Sequence, residues 1–159
     1  MRITGKLFLN DITEDTKMIS DNQMLNYIRQ ITEMGETGID SVLDKTHDAA
    51  MRQSLQKQKE EYQRIYRSAD RMLEERGGKE KDLNPMAELG SEISAMFQLA
   101  MDSSSSKIAE MMIKGNTMGV TKILQHMSDY QNGDERINDL ANKLLQTQQN
   151  NIEQMKPYL

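Results

Sequence analysis

The sequence predicts an all-α fold, an antiparallel four-helix bundle built from two duplicated helical hairpins. Only two prolines occur among the 159 residues, Pro85 and Pro157, so the chain before Pro85 can stay helical for about seventy residues. The good helix formers Gln, Met, Glu, Lys and Arg are abundant, whereas aromatic residues make up only 4% of the chain. Leu, Ile and the 14 methionines must therefore fill the core.

A glycine-containing stretch that occurs twice is the third observation behind this prediction. The first copy covers residues 34–43. An offset of 81 residues superposes Gly38 on Gly119, with apolar residues following both. The same offset pairs Asp48 with Asp129. We interpret the stretch as the mark of a duplicated helical hairpin.

Helix start and stop signals divide the chain into units. Ser20 or Asp21 is a good N-cap for the first helix, and Asp134 is one for the last. The serines at 103–106 are interpreted as a turn and N-cap, with a linker or phosphorylation sites as the alternatives. In chain order we expect an arm at 1–19 (extended, a short strand or disordered), hairpins at about 20–76 and 104–157 joined by a crossover helix at about 85–101, and one bundle domain over 20–159.

Apolar residues recur every three or four positions, which is typical of helices with one buried face. The predicted core positions are Met24, Ile28, Ile31, Gly35, Gly38 and Val42 in the first helix, Met51, Leu55, Gln58, Tyr62, Ile65, Ala69 and Met72 in the second, Ile108, Met111, Met112, Gly115, Gly119, Ile123 and Met127 in the third, and Ile137, Leu140, Ala141, Leu144, Gln148, Ile152 and Met155 in the fourth.

Four glycines on these faces, Gly35, Gly38, Gly115 and Gly119, are unusual for helix interiors. Glycine inside a helix costs about 0.5–1 kcal/mol relative to alanine. We therefore expect them to admit a neighbouring backbone or a bulky side chain at close range. A local kink is the alternative.

Polar residues interrupt the apolar faces at mid-helix and define a predicted polar layer of Gln58, Tyr62, Gln148 and Asn151. A buried amide without a partner costs roughly 1–3 kcal/mol, so Gln58 and Gln148 should bond to each other, to Tyr62 or to water. We favour a satisfied layer that fixes helix register. A small polar pocket is the alternative interpretation.

Composition excludes several classes of function. The chain has no cysteine, which rules out disulfides, thiolate metal sites and cysteine nucleophiles. Its net charge is −5 with interspersed signs, so a nucleic-acid partner is not expected. No apolar run approaches the roughly 18 residues of a membrane span, and no signal-peptide core is present. We expect a cytoplasmic protein without membrane contact.

Two hairpins joined by a long crossover resemble the ferritin-like superfamily, which includes rubrerythrins, bacterioferritins and related bacterial domains. The stretch Arg-Met-Leu-Glu-Glu-Arg-Gly-Gly at 71–78 is similar to the end of the second helix in many members. The resemblance covers about residues 20–157. It implies a four-helix bundle with a di-iron centre between the helices.

That centre needs a Glu from each of two helices and a Glu-x-x-His from each of the other two. The sequence offers Gln58-x-x-Glu61 in the second helix and Gln148-x-x-Asn151 in the fourth, and neither matches. Neutral amides cannot replace bridging carboxylates at a hard di-metal centre. We therefore expect a metal-free, non-enzymatic member without a cofactor, with a structural or interaction role and a homodimeric state.

The sequence leaves open two alternatives to a metal-free structural role. One is a metal-binding or oxidative-stress protein with an atypical site drawn from Glu36, Glu61, Glu110 and His126. The other is a small-molecule binding module with a pocket formed by the polar layer and the four glycines. For His126 and His47 themselves we favour ordinary hydrogen-bonded histidines over ligands or proton carriers.

Overall fold

A computed structural model describes residues 18–77, 91, 95 and 103–159 of the chain. Residues 18–77 and 103–159 contain four α-helices, and none of the described residues lies in a strand, so the all-α prediction is confirmed for them. The helices are α1 (Asp21–Leu43), α2 (Ala49–Glu75), α3 (Ser105–Asp129) and α4 (Glu135–Met155), followed by a 3-10 turn at Lys156–Tyr158.

Side-chain caps start every one of these helices, and most were predicted. Ser20 forms a capping box with Gln23 at the start of α1, in which the Ser20 Oγ accepts from Gln23 N at 3.1 Å. Asp48, Ser104 and Asp134 cap α2, α3 and α4, each with a side-chain oxygen that accepts from a backbone N–H of the first turn. The serine run therefore begins a helix, as expected.

The 81-residue offset fails at the helix boundaries, so the pairing of Asp48 with Asp129 is wrong. Asp48 is the N-cap of α2, whereas Asp129 is the last residue of α3. The residue that shares the role of Asp48 is Asp134, which lies 86 residues later. The segment after Gly119 continues for longer than the segment after Gly38, because α3 runs on to Asp129 while α1 stops at Leu43.

The four helices pack around one hydrophobic core. The α1 helix packs mainly on α2, and α3 packs mainly on α4. Arg29, early in α1, meets the late part of α2, where its Nε lies 3.3 Å from Asp70 Oδ1. Nearer the middle of the two helices, Glu36 Oε2 accepts from Gln63 Nε2 at 3.2 Å. Weaker contacts join α1 to α3 and α2 to α4. The core consists mostly of Ile, Leu and Met side chains.

Most predicted core positions are buried, and five of them are only half-buried. Leu73 is fully buried and Met72 is only half-buried, because a straight helix drifts about 20° per heptad from an alternating four-three pattern. Gly35, Gly115, Met127 and Ile152 are also half-buried. Asn116 and Thr147 are buried although the pattern did not predict it.

One end of the bundle is held by an ionic cluster that the sequence did not reveal. Arg76, the C-cap of α2, forms an ion pair with Asp134 at the start of α4, and its Nε lies 3.7 Å from Asp21 Oδ2 at the start of α1. The Tyr130 hydroxyl donates to Asp21 Oδ1 at 2.6 Å and accepts from Asp134 N at 2.8 Å. Because Tyr130 is the C-cap of α3, the cluster joins one end of each of the four helices.

Two predicted segments lie largely outside the described residues, namely the arm at 1–19 and the crossover helix at 85–101. Ile19 is buried, and its N–H donates to Asp129 O at 3.1 Å. Ser91 and Ala95 are helical. Within the described ranges, no helix is both long and apolar enough to cross a bilayer.

Candidate functional site

A hydrogen-bonded set of side chains lies at the centre of the bundle and joins three helices. Tyr62 of α2 is 1% exposed, and its hydroxyl donates to Asn116 Oδ1 of α3 at 2.6 Å. Asn151 of α4 donates to the same oxygen at 3.4 Å. Asn116 Nδ2 in turn donates to the backbone oxygen of Met112 at 2.8 Å. We call Tyr62, Asn116 and Asn151 the central triad.

The central phenol is neutral over the physiological range. Burial raises the pKa of Tyr62 to about 12, while hydrogen bonds from Asn151 and Gln148 act in the opposite sense. A buried phenolate would have to leave water without a cation beside it, which is costly. The hydroxyl therefore serves as a hydrogen-bond donor rather than as a base.

Two of the predicted packing glycines border this layer. A Cβ on Gly35 would lie 2.5 Å from Cε2 of Tyr62, so only glycine leaves room for the ring. A Cβ on Gly119 would clash with the Gln148 amide. Gly38 is buried. The prediction is wrong for Gly115, whose Cβ position has no neighbour within 4 Å.

The two mid-helix glutamines do not bond to each other, contrary to one of the expected arrangements. Gln58 Nε2 donates to Gln154 Oε1 at 2.9 Å, and Ser54 Oγ donates to the same oxygen at 2.9 Å. Gln58 and Gln148 are each 2% exposed. Among the described residues, neither Gln58 Oε1 nor Gln148 Oε1 has a hydrogen-bond partner.

The residues of the atypical metal site are each engaged separately. Glu61 Oε1 lies 3.0 Å from Lys143 Nζ, and this hydrogen bond is the main reason that the pKa of Glu61 is lowered. Glu110 pairs with Lys114 at 2.7 Å, which likewise lowers its pKa. Glu36 accepts from Gln63, as described for the α1–α2 contact.

The histidines also lie away from any such cluster. His126 stacks on Tyr27 with ring centroids 3.6 Å apart and an interplanar angle of 7°. His47 is exposed in the loop between α1 and α2. In the part of the chain that the structure describes, no three His, Cys, Asp or Glu residues are grouped to hold a metal ion.

The bundle centre does not fit a di-iron group. Its atoms are a neutral phenol and the amides of Asn116, Asn151 and Gln148, and the central triad is satisfied by internal hydrogen bonds. Hard divalent cations at such sites require carboxylate and imidazole ligands. Glu61, the carboxylate of the Gln58-x-x-Glu61 stretch, pairs with Lys143 instead.

Sequence reasoning placed Tyr62 and Asn151 in the polar layer but missed Asn116, their shared acceptor. The position carried a usable signal, because Asn116 lies three residues before Gly119, within the helical face that the glycines define. An asparagine at that spacing favours a buried amide over a surface one.

Comparison of the chain with protein-family models, with curated proteins and with solved structures found no match. The ferritin-like resemblance therefore has only the helix pattern and the residues at 71–78 behind it.

Proposed function

We propose that the chain is a non-enzymatic four-helix-bundle protein of ferritin-like architecture, with a structural or protein-interaction role and no di-iron centre. The observation that carries this proposal is the chemistry of the bundle centre. Where a ferritin-like bundle would hold metal ligands, this chain has the hydrogen-bonded central triad. A satisfied buried network stabilises one packing arrangement and offers no nucleophile or acid–base pair.

The order of contacts supports the proposed antiparallel hairpins. Arg29 near the start of α1 meets Asp70 near the end of α2, while Asp40 near the end of α1 pairs with Lys59. Loops of five residues or fewer between the helices of each pair favour antiparallel neighbours. The two similar pairs are in keeping with an ancestral duplication.

The metal-binding alternative is disfavoured by the partners of its carboxylates. Glu61 and Glu110 each interact with two cationic side chains. Recruiting them to a metal would break those pairs and bring together residues of α2 and α3. The mid-bundle pocket is disfavoured as well, because Tyr62 and Gln148 fill the space beside Gly35 and Gly119.

Thermal unfolding in the presence of metal tests the proposal. A metal that binds only the folded state at 100 times its dissociation constant stabilises it by about 2.7 kcal/mol. We expect no shift of the unfolding midpoint with Mn²⁺, Zn²⁺ or anaerobic Fe²⁺. A clear upward shift that disappears in the double variant Glu36→Gln, Glu61→Gln would contradict the proposal in favour of the atypical metal site.

The proposal includes a homodimeric state. Light scattering coupled to size exclusion should then give twice the chain mass of 18.3 kDa. A single species at the chain mass over a wide concentration range would remove this part of the proposal. Leu124 on α3 has a large apolar side chain that is 48% exposed. Replacing it with a charged residue is therefore the first substitution for mapping the dimer interface.

A further inference from the structure

We propose that the cleft between α2 and α4 is a binding site for a small, uncharged, hydroxyl-rich molecule such as a monosaccharide. The site adjoins the bundle centre, with which it shares Asn151, and goes beyond the structural role proposed above. It lies on the side of the bundle where α2 and α4 contact each other less closely than the helices within each pair.

The cleft has a volume of about 420 Å³, which lies within the range of small-molecule sites. Residues on three successive turns of each helix form its walls. The lining residues include Gln53, Ser54 and Gln58 from α2 and Thr147, Asn151 and Gln154 from α4. Because nearly every one is polar, an apolar ligand would leave donors and acceptors unpaired.

The floor of the cleft carries an incomplete hydrogen-bond network. Gln154 Oε1 accepts from both Gln58 Nε2 and Ser54 Oγ, so its accepting capacity is used. Gln58 Oε1 is covered and has no partner among the described residues. Reversing the Gln58 and Gln154 amides together keeps a hydrogen bond between them and leaves the Gln58 nitrogen unpaired instead, so either arrangement leaves one polar atom of Gln58 available. The terminal torsion of glutamine is soft, so this amide can rotate when a ligand enters the cleft.

Charge at the cleft argues against an anionic ligand. The Lys143 ammonium lies 3.0 Å from Glu61 Oε1, so the two charges neutralise each other across the cleft. Lys57 is the remaining charged lining residue. A lone exposed lysine attracts an anion only weakly, since exposed ion pairs contribute little.

The remaining lining groups match hydroxyls. An amide presents a donor and an acceptor side by side, and a hydroxyl both donates and accepts through one atom. Neighbouring hydroxyls of a sugar ring can therefore accept from one amide nitrogen and donate to its oxygen. One such hydroxyl can donate to Gln58 Oε1, while another accepts a hydrogen bond from Nε2 of the exposed Gln154 amide.

The test is a titration of the protein with D-glucose, followed by NMR of the side-chain amide groups. Two variants on the same helix provide the comparison. Gln154→Met removes an amide inside the cleft at an exposed position, and Gln149→Met removes an exposed amide outside it. N-acetylglycinamide serves as a neutral ligand of the competing amide class.

We expect saturable shifts of the Gln58 and Gln154 amide signals in the native protein. Gln154→Met should weaken glucose binding about three- to tenfold, the effect of losing one hydrogen bond, whereas Gln149→Met should leave it unchanged. Three results would overturn the proposal: no saturable shift with glucose, equal affinity in the two variants, or tighter binding of N-acetylglycinamide than of glucose.

Discussion

At the residue scale, Gly35 and Gly115 are both half-buried in helix interiors but have opposite surroundings. A Cβ at Gly35 would meet the ring of Tyr62, whereas a Cβ at Gly115 would meet nothing within 4 Å. The ring cannot move freely because its hydroxyl is hydrogen-bonded to Asn116. The same substitution should therefore have opposite signs at the two positions.

We expect Gly35→Ala to destabilise the protein by about 1–3 kcal/mol through overpacking against Tyr62. Gly115→Ala should stabilise it by about 0.5–1 kcal/mol, because alanine reduces the entropy of the unfolded chain and favours helix. Urea unfolding of the two variants measures both effects. If both variants lowered the free energy of unfolding by the same amount, the open space beside Gly115 would be contradicted.

The buried phenol of Tyr62 makes a second residue-scale prediction, which concerns alkaline pH. Its pKa is about 12 in the folded protein and 10.0 in the unfolded chain, so the folded state holds the proton more tightly. This contribution to stability is fully present below pH 10.0 and is lost as the pH rises towards 12. Two pKa units correspond to about 2–3 kcal/mol.

Tyr62→Phe should be about 1–2 kcal/mol less stable to unfolding than the native protein at neutral pH, because the hydrogen bond to Asn116 is missing. Between pH 9 and 12 its free energy of unfolding should fall less steeply than that of the native protein, because the variant has no buried phenol at this position to ionise. Urea unfolding midpoints across that range give the comparison. Tyr66→Phe is the control, because it leaves the Tyr62 phenol intact and should keep the native alkaline slope. Parallel curves for all three proteins would refute the buried-phenol assignment.

At the scale of elements, the start of α3 gives a matched test within the serine run. Ser104 caps the helix, with its Oγ accepting from Lys107 N at 3.2 Å, whereas Ser103 lies one residue outside. Ser104→Ala should cost about 0.5–2 kcal/mol. Ser103→Ala should stay within about 0.5 kcal/mol of the native protein, as for most surface substitutions. Thermal unfolding of both variants measures these effects. A larger loss of stability for Ser103→Ala than for Ser104→Ala would indicate that Ser103, and not Ser104, caps the helix.

Helix starts of this kind could be predicted from the sequence because a cap is a local interaction. Ser20 and Asp134, both predicted as caps, each bond to an N–H two or three residues later, so a short window of sequence contains both partners. The end of α2 is equally local, since Gly77, two residues after the last helical residue, adopts a φ of 91° that favours glycine.

The centre of the bundle could be predicted only in part, because it depends on the register between helices. Burial of Tyr62 follows from periodicity within α2, but its bond to Asn116 depends on how far α3 slides along α2. The exchange of Met72 for Leu73 in the core has a similar origin, since a small drift in helix phase accumulates over 27 residues. Neither the sliding of α3 along α2 nor the drift in helix phase can be read from the spacing of residues in the sequence.

At the scale of the whole molecule, packing and neutral hydrogen bonds hold the centre of the bundle together. Tyr62 touches Gly35 of α1 and bonds to Asn116 of α3, while Asn151 of α4 bonds to the same asparagine. All four helices thus meet at one layer. The ion pairs of Glu61 and Glu110 lie outside it and leave the centre without charge.

The metal content of the protein, purified without chelator and measured by elemental analysis, tests this account most directly. We predict far less than one iron, manganese or zinc ion per chain, unchanged when Glu36 and Glu61 are replaced by glutamine. A di-metal centre would instead give about two ions per chain. That stoichiometry, lost on replacing the two glutamates, would contradict the claim that hydrogen bonds and packing occupy the bundle centre in place of a metal site.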